Sequence, residues 1–410
     1  YLLARGGTAT KTAEELEERL AFLAASLNSS YRPDRGSVSL NLLAKDLDEG
    51  LAILREVLTA PRFQDDKLTL RRDQLLNDMK SRNDDTADIE QRERGFLAFG
   101  EEYYTNRYTT KASLESITRE DLLAFHRKWV DPRNVTVAVA GDFGKGVTRA
   151  QMIAKLDALF AKWPYKGEAA PPVPAPSHAM TPGLYVVDKD VNQGRVSVML
   201  PALPRTDPDY DAALVMNDVL GGGGFTSRIT NRVRSDEGLA YSAGSGIVGG
   251  VWFPATFRAS FQSKARTCAY ATQIVLEEMT KVRDAEVTDE ELQTAKSSFI
   301  DTLSRNFATK AQTVNVFLDE EFTGRFAKDP EYYRNYAARI EKVTKADVQR
   351  VARRLLATDQ VTVLAVGKKD DLLNPDPKHP VKFPELTGGK LTDLPLRDPF
   401  TMKPLAPAAK

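Results

Sequence analysis

The sequence is poor in the residues that bind metals or form cross-links. Cys268 is the one cysteine in 410 residues, which excludes a disulfide within the chain and any zinc knuckle built from cysteine clusters. The histidines are three, His126, His178 and His379. No two stand four apart, the spacing that puts two imidazoles on one helix face. Neither sign of charge prevails, with 57 Lys and Arg against 57 Asp and Glu, so bulk charge does not hold this chain to nucleic acid or anionic lipid. No apolar run approaches the ~20 residues of a membrane-spanning helix. A G-x-S-x-G nucleophile elbow is missing too, since Gly244-Ser245-Gly246 is too short a match. What is present is globular: 42% hydrophobic and 28% charged residues, and a length that at roughly 150 residues per domain implies two or three domains.

An internal repeat organises the chain. Residues 116–143 and 342–369 align without a gap at an offset of 226, with seven identities in 28 positions. Each copy opens on a threonine N-cap with aspartate three residues on, Thr118/Asp121 and Thr344/Asp347. Each continues through an apolar-striped helix carrying Arg127 or Arg353. Each ends in a strand pattern, Val135-Thr136-Val137 or Val361-Thr362-Val363, closed by Gly141 or Gly367. Between the halves, 167–183 is rich in Pro and Ala without apolar periodicity and reads as an extended linker. The repeat predicts a first domain over 1–166, a second over 184–370 and a surface strap over 371–410. If the offset holds, equivalents of the strand patterns at 184–188 and 195–200 would precede Tyr1, so the first domain is expected to be incomplete at its N-terminus.

Period and capping signals give a mixed α/β pattern in both halves. In the first, Thr12 and Glu15 form a capping box for a helix whose apolar face is Leu16, Leu20, Leu23 and Leu27. A strand is predicted near 38–43, helices near 47–59, 64–82, 86–101, 119–130 and 148–162, and a strand over 134–140. In the second, strands are predicted at 184–188, 194–201, 239–248, 252–261 and 360–366, with helices at 208–220, 225–235, 264–283, 288–305, 308–320 and 344–356. Neighbouring strands imply hairpins. The expected class is α+β, two homologous half-domains, each a largely antiparallel sheet with helices on one face.

The most unusual segment is Leu220-Gly221-Gly222-Gly223-Gly224-Phe225-Thr226-Ser227-Arg228. Four glycines before a helix admit two readings, a backbone cradle for an anion or a hinge between helices capped by Thr226 or Ser227. The segment lacks the Gly-Lys-Ser/Thr ending of a P-loop and follows no strand. Downstream, Arg234 ends a helix pattern and Tyr241 starts a strand, with Gly238 permitting a reversal between them. A guanidinium and a phenol brought together form a donor pair suited to a carbonyl or an oxyanion. Each is equally an ordinary surface side chain when taken singly.

Together these segments resemble the insulinase/pitrilysin family of zinc peptidases, which includes the mitochondrial processing peptidase and the core proteins of the bc1 complex. The resemblance rests on Gly7-Thr8 through Leu16, on the glycine loop with Arg234 and Gly238-Leu239-Ala240-Tyr241-Ser242, and on the repeated helix-strand unit. It implies that Arg234 and Tyr241 are the catalytic donor pair and that Gly221, Gly222, Gly223, Gly224 and Phe225 bind substrate. Self-sufficient members of the family carry His-x-x-Glu-His shortly before the Gly-Thr turn and a third ligand, Glu, on a later helix. Aligned on Gly7-Thr8, the Glu-His pair falls on Tyr1 and Leu2, and the later Glu falls near Asn77 or Asp78. The resemblance therefore implies no metal ligands and no cofactor in this chain, with zinc in a His-x-x-Glu-His-bearing partner subunit or half. The expected function is that of a non-catalytic subunit or half acting on a peptide substrate, without nucleic acid or a membrane span. Two alternatives accompany it: an active peptidase whose zinc motif lies upstream of residue 1, and a structural protein like the bc1 core subunits. A bacterial periplasm or cell envelope is the expected location, and the mitochondrial matrix the alternative.

Overall fold

The computed structural model describes residues 1–143, 146–161, 163, 167–248, 250–254 and 256–406. The chain divides into two compact units. One comprises residues 1–80, 109–173 and 313–318, the other 81–108, 174–312 and 319–410. This division differs from the halves expected from the repeat, because 81–108 belongs with the second half.

In the first unit, Thr12 caps the helix Ala13–Phe22 through the reciprocal bonds of a capping box with Glu15. The helix is shorter than its leucine stripe predicts: Ala24 has a positive φ of 48°, and Leu27 already lies in strand β1 (Ser26–Arg32). β1 pairs antiparallel with β2 (Arg35–Asn41). Leu16, Leu20, Leu23, Leu27, Ile53 and Val57 form one apolar core beneath them. The helices Leu47–Thr59, Asp65–Lys80, Arg119–Trp129 and Arg149–Phe160 complete the unit. The strand expected at 134–140 does not form. Residues 135–140 have no ladder partner among the described residues, and Val137 and Val139 stand 43% and 39% exposed.

The second unit is built on a six-stranded sheet. Its strands are β3 (Gly183–Asp188), β4 (Gln193–Pro201), β5 (Ala240–Val248), β6 (Thr256–Lys264), β7 (Thr362–Gly367) and β8 (Leu391–Leu394). Their order is β5-β6-β4-β7-β3-β8. The three pairs from β5 to β7 are antiparallel, and β3 runs parallel to both β7 and β8. Along β4 and β7, alternate residues serve opposite faces, as the two-residue period of a strand requires. Val196, Val198, Val363 and Ala365 join the main core with residues of the helices Tyr210–Asn217, Cys268–Asp284 and Lys345–Leu355. Met199, Leu364 and Val366 join Ile89 in a smaller core on the other face. The α+β class holds, with the helix Thr86–Phe99 added to that second face.

That helix explains the placement of 81–108. It buries Glu90, Arg92 and Glu93, residues that periodicity alone assigns to water. Glu90 accepts hydrogen bonds from Ser197 on β4 at 2.6 Å and from Arg258 on β6 at 3.2 Å. Its carboxylate is thus satisfied where an unpaired buried charge would be costly. The C-terminal segment is more than a surface strap, since it supplies β8, the fully buried Phe383, and Arg397, which donates to Glu93 and Glu101. Among the described residues, no helix is long and apolar enough to cross a membrane.

Candidate functional site

The helix Tyr210–Asn217 does not continue to 220 as its apolar pattern predicts. It widens into a π-turn over Asp218–Gly222, and a second π-turn spans Asn231–Asp236. Between them lie a 3-10 turn, Gly224–Thr226, and a single α-turn, Arg228–Thr230. The helix expected at 225–235 is therefore broken into short turns, in keeping with the frequency of π-bulges at functional positions.

Glycine fixes where this broken segment lies. A Cβ on Gly221 would stand 2.4 Å from Ser245 Oγ and 2.5 Å from Ser245 N, so the π-turn approaches edge strand β5 more closely than any side chain would allow. Gly224 has a φ of +59°, the left-handed conformation that glycine adopts without penalty. Side chains then tie the segment to the strand. Asn217 Nδ2 donates to Ser245 O at 3.3 Å, Ser245 Oγ donates to Asn217 Oδ1 at 2.9 Å, and Thr230 Oγ1 donates to Ala243 O at 2.8 Å. Arg228 forms a bidentate pair with Glu291, at 2.6 and 2.7 Å.

Arg234 and Tyr241, seven positions apart in sequence, meet in space. The Arg234 guanidinium carbon lies 4.9 Å from the centroid of the Tyr241 ring and 4.4 Å from that of Phe225. Gly238, with φ of +62°, makes the reversal, and Leu239 N donates back to Val233 O at 2.9 Å. Where β5 begins, its register with β6 shifts between Ala240 and Ala243. This bulge leaves Tyr241 unpaired and turned to solvent, 86% exposed. Phe225 is 66% exposed. Among the described residues, neither the Arg234 guanidinium nor the Tyr241 hydroxyl has a hydrogen-bond partner. The cation–π contacts with Phe225 and Tyr241 position the guanidinium, each worth about 0.5–1 kcal/mol at an exposed site.

One residue of this region is absent from the sequence-based set. Asp218, on the first π-turn, is buried, and burial pushes its carboxyl up to about 6. Its signal was a polar Asn217-Asp218 pair inside the apolar run Leu214–Leu220, which a helix-face reading passes over.

The positions that the resemblance assigns to zinc ligands do not fit that ion. The Tyr1 ring lies under the Arg71 guanidinium, 4.9 Å from its carbon, and Leu2 opens the short helix Leu2–Arg5. A phenol beneath a cation and an alkyl chain do not make a Zn²⁺ donor set. Asn77 accepts from Lys80 Nζ at 3.3 Å. Among the described residues, no three His, Cys, Asp or Glu side chains cluster closely enough to hold a metal ion.

Two family models match the chain. Residues 2–101 match the insulinase peptidase family M16, and residues 116–299 match the peptidase M16 inactive domain. An uncharacterized zinc protease of Mycobacterium leprae is 28% identical over 247 residues, 58% of this chain and 54% of that protein. A probable mitochondrial-processing peptidase subunit beta of Arabidopsis thaliana is 24% identical over 388 residues, 89% of this chain and 69% of that protein. The chain spans about half the length of the first of these relatives. Among solved structures, a peptidase M16 inactive domain from Pseudomonas fluorescens superposes with a TM-score of 0.78 at 23% identity, covering 89% of this chain and 86% of that one. The periplasmic protease PqqL of Escherichia coli gives 0.68 at 12% identity, covering 89% of this chain and 39% of that one. By these matches, the chain belongs to the insulinase (M16) family of peptidases.

Proposed function

We propose that this chain is the non-catalytic subunit or half of an M16 peptidase, gripping an extended peptide for a homologous partner that carries His-x-x-Glu-His and zinc. The observation that carries the reading is the stack of Phe225, Arg234 and Tyr241, which presents a guanidinium and a phenol without protein acceptors. Such donors bind a peptide carbonyl and strengthen their hold as that oxygen gains negative charge on attack. Gly222 and Gly224, exposed on the loop, supply a surface free of side chains along which a peptide backbone can pass, whereas Gly221 is buried against Ser245 of β5. The misfit of Tyr1 and Leu2 to zinc supports the division of labour between two halves. Two unpaired donors, the Tyr241 hydroxyl exposed and the Arg234 guanidinium half-buried beside it, also argue against a purely structural role.

The test is kinetic, in the reconstituted pair. Removing one oxyanion donor typically costs about 10²–10³ in rate, or roughly 3–4 kcal/mol. Arg234→Ala and Tyr241→Phe are each expected to lower kcat/KM on that scale while zinc content stays unchanged. Peptide cleavage at the wild-type rate by both variants would defeat the assignment.

A further inference from the structure

The turn between Arg234 and Tyr241 is held by side chains outside the pair. Residues 235–238 are exposed, and Gly238 at their end has the left-handed φ of +62°, a conformation that glycine enters and leaves at little cost. Two backbone bonds close the segment, from Glu237 N to Arg232 O at 3.2 Å and from Leu239 N to Val233 O at 2.9 Å. Its side chains make one hydrogen bond among the described residues: Tyr270 Oη donates to Glu237 Oε1 at 3.1 Å. Burial and the Glu237 carboxylate raise the phenol above its ordinary value, so it stays protonated as the donor. At the other end of the π-turn, Arg232 donates to Glu278 at 2.7 Å and to Glu277 at 3.4 Å, and Glu278 is buried. Tyr270, Glu277 and Glu278 all belong to the helix Cys268–Asp284, on which positions 270 and 277 share a face about two turns, or roughly 11 Å, apart. The second π-turn is thus pinned at both ends along one helix, whose Ile274, Val275 and Met279 are fully buried.

Tyr270 is held in turn by the C-terminal segment. The His379 ring stacks on it, with centroids 4.1 Å apart and planes 13° from parallel. Nearby, Asp376 N donates to Arg266 O at 3.0 Å, and Arg266, in the turn ahead of the same helix, pairs with Asp371 at 3.1 Å. We propose that Tyr270 and Glu237 are positioning residues, which fix the turn so that Arg234 and Tyr241 meet one peptide carbonyl, and that His379 locks Tyr270 for this task. The inference rests on the peptide-gripping function proposed above and adds what aligns its donors. A left-handed glycine between the two donors leaves the turn free to pivot, and a bond to a packed helix removes that freedom. Such groups need to be held within about 0.5 Å of their productive geometry, and a misplacement of about 1 Å costs up to ~10²-fold in rate.

Arg232→Ala would strand the buried Glu278, so the test is made at the other end, on the chain and on the pair reconstituted with its zinc-bearing partner. Tyr270→Phe keeps the ring and its stack and removes only the hydroxyl. Amide exchange over 236–241 is expected to quicken about five- to tenfold in Tyr270→Phe and in Glu237→Ala, while the amides of β4 keep their wild-type rates. In the pair, kcat is expected to fall by a similar factor with KM little changed, because misaligned donors lose their hold on the transition state rather than on the bound peptide. Glu237→Gln, which keeps an acceptor oxygen, should recover most of the loss seen in Glu237→Ala. His379→Ala should show a smaller loss, about two- to threefold. Unchanged exchange in Tyr270→Phe overturns the pinning. Quicker exchange with kcat intact overturns the positioning role. If Arg234→Ala then still lowers kcat/KM, the gripping function stands; if Arg234→Ala and Tyr241→Phe both cleave at the wild-type rate, it falls as well.

Discussion

The repeated helix-strand unit has two fates in one molecule. Its helices, Arg119–Trp129 and Lys345–Leu355, start on the same kind of capping box. Then the copies part. Residues 362–367 form β7, buried along its whole length between β4 and β3, whereas the equivalent 136–141 pairs with nothing among the described residues and exposes Val137 and Val139. Helix starts are local, closed by side chains within four residues of one another. A strand is a half-made object whose N–H and C=O groups are satisfied only by neighbours from elsewhere in the chain.

The comparison is tested most severely at equivalent valines. Val363 is fully buried and Val137 is 43% exposed. Val363→Ala should cost about 2–3 kcal/mol, combining lost apolar transfer with the cavity left behind. Val137→Ala should stay within about 0.5 kcal/mol, as surface changes do. Amide exchange read separately over 362–367 and 135–140 checks both, with slow exchange expected in the first segment and fast exchange in the second. Equal costs and equal protection would show that 135–140 is paired in solution, and the contrast between the copies would be lost.

Local signals in the sequence translated well into structure, and signals that depend on distant partners did not. Thr12, Thr118 and Thr344 cap helices as their spacing indicates. The Arg234 and Tyr241 side chains meet because a left-handed glycine and a bulge lie between them, and Gly238 was visible as the place of reversal. By contrast, the helix Thr86–Phe99 carries charged residues that look solvent-bound, and only Ser197 and Arg258, more than 100 residues away, show why Glu90 is buried. Leu27 fits a leucine stripe and a strand equally well, and the backbone at Ala24 decides for the strand. Asp218 was missed for the same reason, since its environment is made by Phe225, Glu290 and Glu291 from two other segments.

Each unit also buries one titrating group, and the two act in opposite directions over the same pH range. In the first unit, burial lowers His126 to about 4, and its Nε2 lies 2.9 Å from Leu58 O as a neutral donor. A base depressed in the fold contributes stability that is complete above its unfolded value near 6.5 and is lost as pH falls toward 4. In the second, Asp218 is raised to about 6. An acid raised in the fold is destabilising above about 6, and the penalty is relieved as pH falls from 6 toward its unfolded value near 4. At about 1.4 kcal/mol per pKa unit each effect is about 3 kcal/mol at most, and solvent screening of these partly buried groups makes it smaller. Asp218→Asn should therefore stabilise the second unit at pH 8 and lose that advantage near pH 4, while His126→Gln should flatten the acid sensitivity of the first unit. Unfolding curves of the variants minus wild type, taken from pH 4 to 8, read both slopes. Slopes of the same sign would contradict the assigned burial of one group.

The smallest expected effect is the one in which the two copies should agree. Thr118 Oγ1 accepts from Asp121 N at 3.2 Å and Thr344 Oγ1 from Asp347 N at 3.1 Å. The returning carboxylate bonds, from Thr118 N to Asp121 Oδ2 and from Thr344 N to Asp347 Oδ2, are 2.9 and 3.0 Å. The Thr118 backbone N–H and hydroxyl hold Asp121, and the Thr344 hydroxyl and backbone N–H hold Asp347, below the usual carboxylate range. If capping is set by the four residues that make it, Thr118→Ala and Thr344→Ala each cost about 1 kcal/mol, although one helix leads into a buried strand and the other does not. Exchange of the first-turn amides in each helix measures this directly. A cost at Thr344 several times that at Thr118 would mean that β7 and its neighbours stiffen the helix start, so that the sheet determines even the local part of the repeat.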